Sequence, residues 1–313
     1  MHFKTRNVKA IVIGSQASEF TILFLSMRYV VLVALATVAC KHDDAAPPAP
    51  DPSDVVVQSP GLEPRQLLRY ALGKGGKTTL ELAIDTELSA GDLGGAMPTV
   101  VVTLELGVDD VLPDGRMKLR TTISDAKARD REGAKTTAIA ATNVLEQLKG
   151  LVIVATLSPE GRLADARVDA GDKKLPETVT TQLAALTRSF DHLAMPLPRD
   201  AVGPTAKWTS TRRLDLDGMA VTSTSTVDLT SIAGSRVAFA MKTVMLGPDQ
   251  QITRQGLAID VTNLHGTGSA EGTVDLAKLA TAGSFAQEFH ADMTAAGEKT
   301  AVDMTMKLEL APQ

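Results

Sequence analysis

Apolar and polar side chains alternate every second residue over most of the chain beyond residue 77, the period of a strand with one wet face. Over Thr78–Leu88, Leu80, Leu82 and Ile84 fall on one side and Glu81, Asp85 and Glu87 on the other. Thr99–Leu106 repeats the pattern through Val100, Val102, Leu104 and Leu106, and Met117, Leu119 and Ile123 continue it after a turn at Pro113, Asp114 and Gly115. Leu151–Leu157 and Arg162–Val168 flank Ser158–Gly161 as a hairpin. Further on, the predicted strands are Lys207–Leu216, Met219–Leu229, Ser235–Leu246, Gln251–Asn263, Gly268–Leu276, Ser284–Ala295 and Glu298–Leu310, with turns at Gly218, Gly234, Gly247 and Gly297. Strands in close succession with short turns predict an antiparallel meander.

Two segments follow a helical period instead. Ala134–Lys149 places Ala138, Ala141, Leu145 and Leu148 on one face, with Gly150 as C-cap. Pro176 opens a second helix, 176–193, whose apolar stripe is Val179, Leu183, Leu186, Phe190 and Leu193. The fold class expected is mainly β (α+β): a large curved antiparallel sheet, or open half-barrels, with two amphipathic helices packed on it. Residues 62–313 form the β-rich globular part, read either as one unit or as related halves, 62–172 and 196–313, joined by helix 176–193.

The first 61 residues do not follow this pattern. The run Tyr29–Ala39 is apolar, follows Arg28 and ends at Cys40, the single cysteine of the chain. Its length suits the core of a signal peptide and falls short of the roughly 20 residues of a spanning helix. Residues 41–53 then turn abruptly to Ala, Pro, Asp and a few other polar types, with too little apolar surface to fold. This junction resembles the signal peptide of a bacterial lipoprotein. The resemblance implies a signal peptide over 1–39, acylation of Cys40, and a disordered Pro/Ala/Asp-rich tether over 40–61. It also implies a membrane partner through the lipid and a place in the cell envelope, at the outer membrane because Lys41 follows the cysteine. Met1 and Met27 are both open as the start.

Residues 1–39 hold four of the 32 basic and one of the 37 acidic residues, leaving 28 against 36, a net charge of −8. A mildly acidic chain without a basic cluster argues against nucleic acid as a partner. Beyond Cys40 the aromatic residues are only Tyr70, Phe190, Trp208, Phe239, Phe285 and Phe289. Ligands held by stacking on exposed rings, such as bases, are therefore disfavoured.

Candidate chemistry is sparse. Ala71–Thr78 satisfies a permissive phosphate-loop spacing but runs into a strand where a helix N-terminus is required, and it reads as a glycine-rich hairpin turn. Gly266–Gly272 lacks the context of a dinucleotide loop or a nucleophile elbow and reads as a bulged or kinked strand. His290, Met293, Met304 and Met306 raise a soft-ion site across the last hairpin, but the alternation of Met304 and Met306 with Asp303, Thr305 and Lys307 is that of core positions. Thr222–Thr226 reads as a half-polar strand. No catalytic residue, metal or cofactor is assigned.

The hairpin Leu151–Val168, the segment Leu197–Trp208 with Pro198, Val202, Gly203 and Trp208, and Gly266–Gly272 with Asp275 resemble a family of bacterial envelope lipoproteins known as a domain of unknown function. That family implies no activity. The favoured function is a non-enzymatic envelope lipoprotein that binds a hydrophobic or lipid ligand in a curved β groove lined by Val179, Leu183, Leu186, Phe190, Met241, Met293, Met304 and Met306. The alternative is a structural or protein-interaction module with an envelope protein partner, and an enzyme is the third reading.

Overall fold

The computed structural model describes residues 54–169 and 194–313, apart from positions 217, 255 and 279 and the side chain of Val144. In chain order the strands are β1 (Asp54–Ser59), β2 (Lys77–Ala90), β3 (Leu93–Ala96), β4 (Thr99–Val111), β5 (Met117–Arg129), β6 (Val152–Leu157), β7 (Leu163–Asp169), β8 (Lys207–Leu216), β9 (Met219–Ala233), β10 (Arg236–Leu246), β11 (Gln250–Arg254), β12 (Leu257–Asp275), β13 (Ala280–Ala295) and β14 (Glu298–Pro312). They form one 14-stranded antiparallel sheet in the order β1-β8-β9-β10-β12-β13-β14-β2-β4-β5-β6-β7, with β11 beside β12 and β3 beside β2. The last strand thus pairs with the second, Leu308 facing Ile84, and the two halves merge into one sheet rather than two half-barrels. β1 and β7 remain as edges, so the sheet is not closed.

One stretch of chain shows how strongly the sheet curls. Tyr70 N–H donates to Pro159 O in the β6–β7 turn (2.8 Å), and the next residue, Ala71, donates to Leu276 O just after β12 (3.0 Å). Between β12 and β6 lie β13, β14, β2, β4 and β5. In a flat sheet they would stand roughly 29 Å apart at about 4.8 Å per strand. Curvature on this scale needs small residues where the strands crowd. Gly272 faces Gly283 directly, and a Cβ on either would come within 2.4 Å of a neighbouring carbonyl oxygen.

The concavity is plugged at one end by two crossing segments, 60–72 and 194–206. Gln66 and Val202 exchange backbone hydrogen bonds at 3.0 Å, and the Arg69 guanidinium donates to the Pro198 and Arg199 carbonyls. Gly203 lies so close to Leu62 that a Cβ would overlap its carbonyl oxygen at 1.7 Å. Leu68, Tyr70, Leu72, Leu197, Val202 and Trp208 from this region join Leu82, Leu104, Met117, Leu157, Val227 and Val274 of the strands in the main core. Trp208 is fully buried, and its indole N–H donates to Pro196 O at 3.0 Å.

The structure corrects the sequence reading in four places. Two amphipathic helices packed on the sheet are not borne out: the described residues hold one short helix, α1 (Ala138–Leu145), tightening into a 3₁₀ turn at Glu146–Leu148. It is shorter than Ala134–Lys149 because Ala134 bridges to Ala96 and the helix starts only after Thr137, whose hydroxyl accepts the Ala140 N–H. Its predicted face is right, with Ala138, Ala141 and Leu145 buried. The second predicted helix, 176–193, lies outside the described residues.

Strand β1 falls within the stretch read as tether, because Val55 and Val57 supply apolar contacts with the main core that the rest of that stretch lacks. The chain also turns at Gly256 (φ 80°), and β12 runs unbroken through Gly266 and Gly268, where two strands had been expected. Its irregularity lies just upstream, in a register shift between Thr262 and His265 with Asn263 at φ 54°. Finally, Gly73–Gly76 is a turn leading from the crossing segment into β2, not a hairpin, and a strand follows it.

Candidate functional site

The inner, concave face of the sheet is read from strand register, since directly paired residues share a face. Its residues in β8 are Trp208, Ser210, Arg212, Leu214 and Leu216; those in β9 include Val221, Ser223, Ser225 and Val227; those in β10 are Val237, Phe239, Met241, Thr243 and Met245. The row through Trp208 pairs it with Val227, then Met241, Ala270, Phe285, Leu308 and Ile84. This row is apolar throughout.

The neighbouring row is different. It runs Ser210, Ser225, Thr243, Gly268, Gln287, Met306 and Thr86, strand by strand across the curl. The next begins with Arg212 and Ser223 before returning to Met245, Gly266, Phe289, Met304 and Leu88. A polar band therefore crosses the inner face where alternation calls for core residues, and it is densest on β8 and β9. It separates the main core from a second apolar cluster of Met219, Val221, Met245, Ile252, Val261 and Phe289.

Within the band the Ser225 and Thr243 hydroxyls are 2.9 Å apart, and the Gln287 amide lies 3.5 Å from the Met245 sulfur. Ser210 is 3% exposed, and its Oγ meets no hydrogen-bond partner among the described residues. Burying a hydroxyl in this way leaves about 1–3 kcal/mol of desolvation uncompensated. Burial pushes the Tyr70 hydroxyl far above its ordinary pKa, against smaller downward pulls from its Met195 hydrogen bond and from the Arg212 guanidinium. Arg212 thus bears electrostatically on a residue inside the curl.

Several inward residues next to the band are only half-buried: Met241, Phe285, Gln287, Met306 and Leu308. With Gly268 and Ala270 of β12 between them, they form a strip over β10, β12, β13 and β14 that the described residues do not cover fully. Elsewhere, a cavity of about 60 Å³ at the plugged end, lined by Leu72, Lys77, Leu106, Leu119 and Lys278, has room for a few waters.

The candidate groove residues separate accordingly. Met241 and Met306 pack at the margin of the main core, while Met293 and Met304 pack on the second cluster. Val179, Leu183, Leu186 and Phe190 lie outside the described residues, as does Cys40. His290 points from the opposite, outer face, 2.6 Å from Asp303 and in tilted contact with His265 at 5.1 Å between ring centroids, so it does not meet Met304 and Met306. Among the described residues no group of three His, Cys, Asp or Glu side chains is placed to hold a metal, and no helix is long and apolar enough to cross a membrane.

The band itself was missed from sequence. Its signal was present in β9, where Ser223 and Ser225 have the same parity as Val221 and Val227. No family model matches the chain, and no curated protein is similar to it.

Proposed function

We propose that the chain is a lipid-anchored protein of a bacterial cell envelope, without catalytic activity, that holds a hydrophobic ligand against the concave face of its sheet. The observation that carries this reading is the half-buried strip of Met241, Phe285, Met306 and Leu308 inside a curl plugged at one end. Flexible methionines beside aliphatic surface suit an acyl chain, because the thioether adapts to irregular contours. Anchoring rests on Cys40 and the apolar run before it, and the outer membrane is the favoured location. Cys40→Ser is expected to abolish incorporation of labelled fatty acid and release the protein from membranes; unchanged partitioning removes the anchor from the proposal. For the ligand, solvent extraction of that released protein, purified without detergent, is expected to yield an amphiphile near one per chain by mass spectrometry. Protein free of lipid, and unable to take any up, sinks the carrier reading.

The second reading, a module that docks an envelope protein, draws support from the β1 edge. There Val56 is 57% exposed, and Leu62 and Leu67 on the segment that follows are 63% and 60% exposed. Crosslinking in intact envelopes through these positions decides it, and a single recurrent partner is the result expected.

A further inference from the structure

The outer face of β12, β13 and β14 carries a cluster that is separate from the concavity. His265 of β12 and His290 of β13 are direct cross-strand partners, and Asp303 of β14 pairs with His290 in turn. The bulge just upstream sets the first ring. The register shifts between Thr262 and His265, and Asn263, at φ 54°, places its carbonyl oxygen 2.9 Å from the His265 Nδ1. On the second ring, the His290 Nδ1 lies 2.6 Å from Asp303 Oδ1. A carbonyl and a carboxylate only accept, so in the neutral rings both Nδ1 atoms carry the proton and both Nε2 atoms keep their lone pairs. An acceptor behind each ring is the arrangement that prepares an imidazole to bind a metal ion. The spacing agrees. Two imidazoles sharing a tetrahedral ion at about 2.05 Å from each Nε2 have ring centroids roughly 5.2 Å apart, and these rings stand 5.1 Å apart.

We propose that His265 and His290 form a two-histidine clamp for a divalent transition ion of the zinc class, held through both Nε2 atoms. Among the described residues no third His, Cys, Asp or Glu is placed to complete the shell, so water takes the remaining positions. Asp292 adds negative charge beside the ion: its Oδ1 is 3.8 Å from the His290 Nε2, while Lys299 and Asn263 engage its Oδ2. Imidazole donors suit zinc, copper or nickel rather than calcium and magnesium, which take oxygen ligands. His265 is exposed and His290 half-buried, so an ion reaches the rings from solvent.

Calorimetric titration with zinc chloride tests the clamp, in the full chain without a purification tag and carrying Cys40→Ser so that no thiol competes. One zinc ion per chain is expected to bind, and magnesium chloride is expected to give no binding heat. His265→Ala and His290→Ala are each expected to weaken zinc at least about tenfold, because each removes the second, intramolecular contact. Should either variant melt early, the glutamine substitution at the same position is titrated in its place with the same expectation. Asp303→Asn keeps both ligands and is expected to weaken zinc about tenfold by removing the carboxylate behind His290. Absence of zinc binding, or binding that survives either histidine substitution unchanged, overturns the clamp. Unchanged zinc affinity in Asp303→Asn overturns the part given to the carboxylate behind His290.

Discussion

The two apolar clusters of the inner face share strands β9, β10 and β12 but are otherwise built from different parts of the chain. At the plugged end, Trp208, Val202, Leu151, Leu157 and Val237 are at or below 1% exposure, because the crossing segments 60–72 and 194–206 fill the curl from inside. Beyond the polar band, Met219, Ile252 and Phe289 retain 8%, and Met293 and Met304 are only half-buried. Strand pairing builds the smaller cluster, in which Val261 and Ala291 are fully buried; among the described residues, the larger core also draws on segments sent across the concavity.

Trp208→Ala is the strongest probe of that contrast. It removes the largest fully buried side chain and its hydrogen bond to Pro196, which ties β8 to the crossing segment. The expected loss is about 3–5 kcal/mol in denaturant unfolding, the usual range for an aromatic removed from a tight core. A loss below about 1 kcal/mol would mean that the plugged end is not where stability resides.

Met304→Ala addresses the other side of the band. Met304 is apolar and inward, paired with Phe289 and Leu88, but it is half-buried. Partial burial limits the expected cost to about 1 kcal/mol, with a larger relative effect on retention of an acyl-chain probe. A cost equal to that of Trp208→Ala would erase the distinction between the two ends.

What the sequence revealed follows the same division. Local alternation was enough to place β2, β4, β5, β8 and β14 and to pick the buried faces of β2, β4, β5 and β14, since a half-wet strand writes its orientation into every second residue. The crossing segment was not recognised, although Leu68, Tyr70 and Leu72 alternate as a strand would. Its partners are Val202, Pro159 and Leu276, and no local signal reports contacts at that separation. The break expected near Gly266 was wrong for a related reason. Glycine there is not a strand terminator but a concession to neighbours: a Cβ on Gly266 would stand 2.7 Å from the Met245 methyl carbon and from Glu288 O. The polar band could have been found. Reading Ser223 and Ser225 by parity with Val221 and Val227 puts them inside, whereas reading Thr222–Thr226 as a composition makes them a wet face.

The smallest expected effect concerns how the plugged end is finished. Asp275 closes β12, where its carboxylate accepts from the Ser235 hydroxyl at 2.8 Å and from Ala277 N–H at 3.0 Å. The Ser235 hydrogen bond is the main reason its pKa lies below the ordinary carboxylate value, with burial acting the other way and the Ala277 contact helping. A carboxyl depressed in the folded state adds stability above its unfolded pKa of about 3.9 and loses it as pH falls through the folded value. Asp275→Asn is therefore expected to cost less than about 1 kcal/mol at neutral pH, since the group is mostly solvated. The gap between variant and native protein should narrow below about pH 4 and vanish once the native carboxyl is protonated. Parallel stability curves over the whole acid range would show that Asp275 acts only as a neutral acceptor for the turn. A gap that closes on acidification identifies it as a charged fastener between the β9–β10 turn and the end of β12, at the end of the curl that the protein keeps shut.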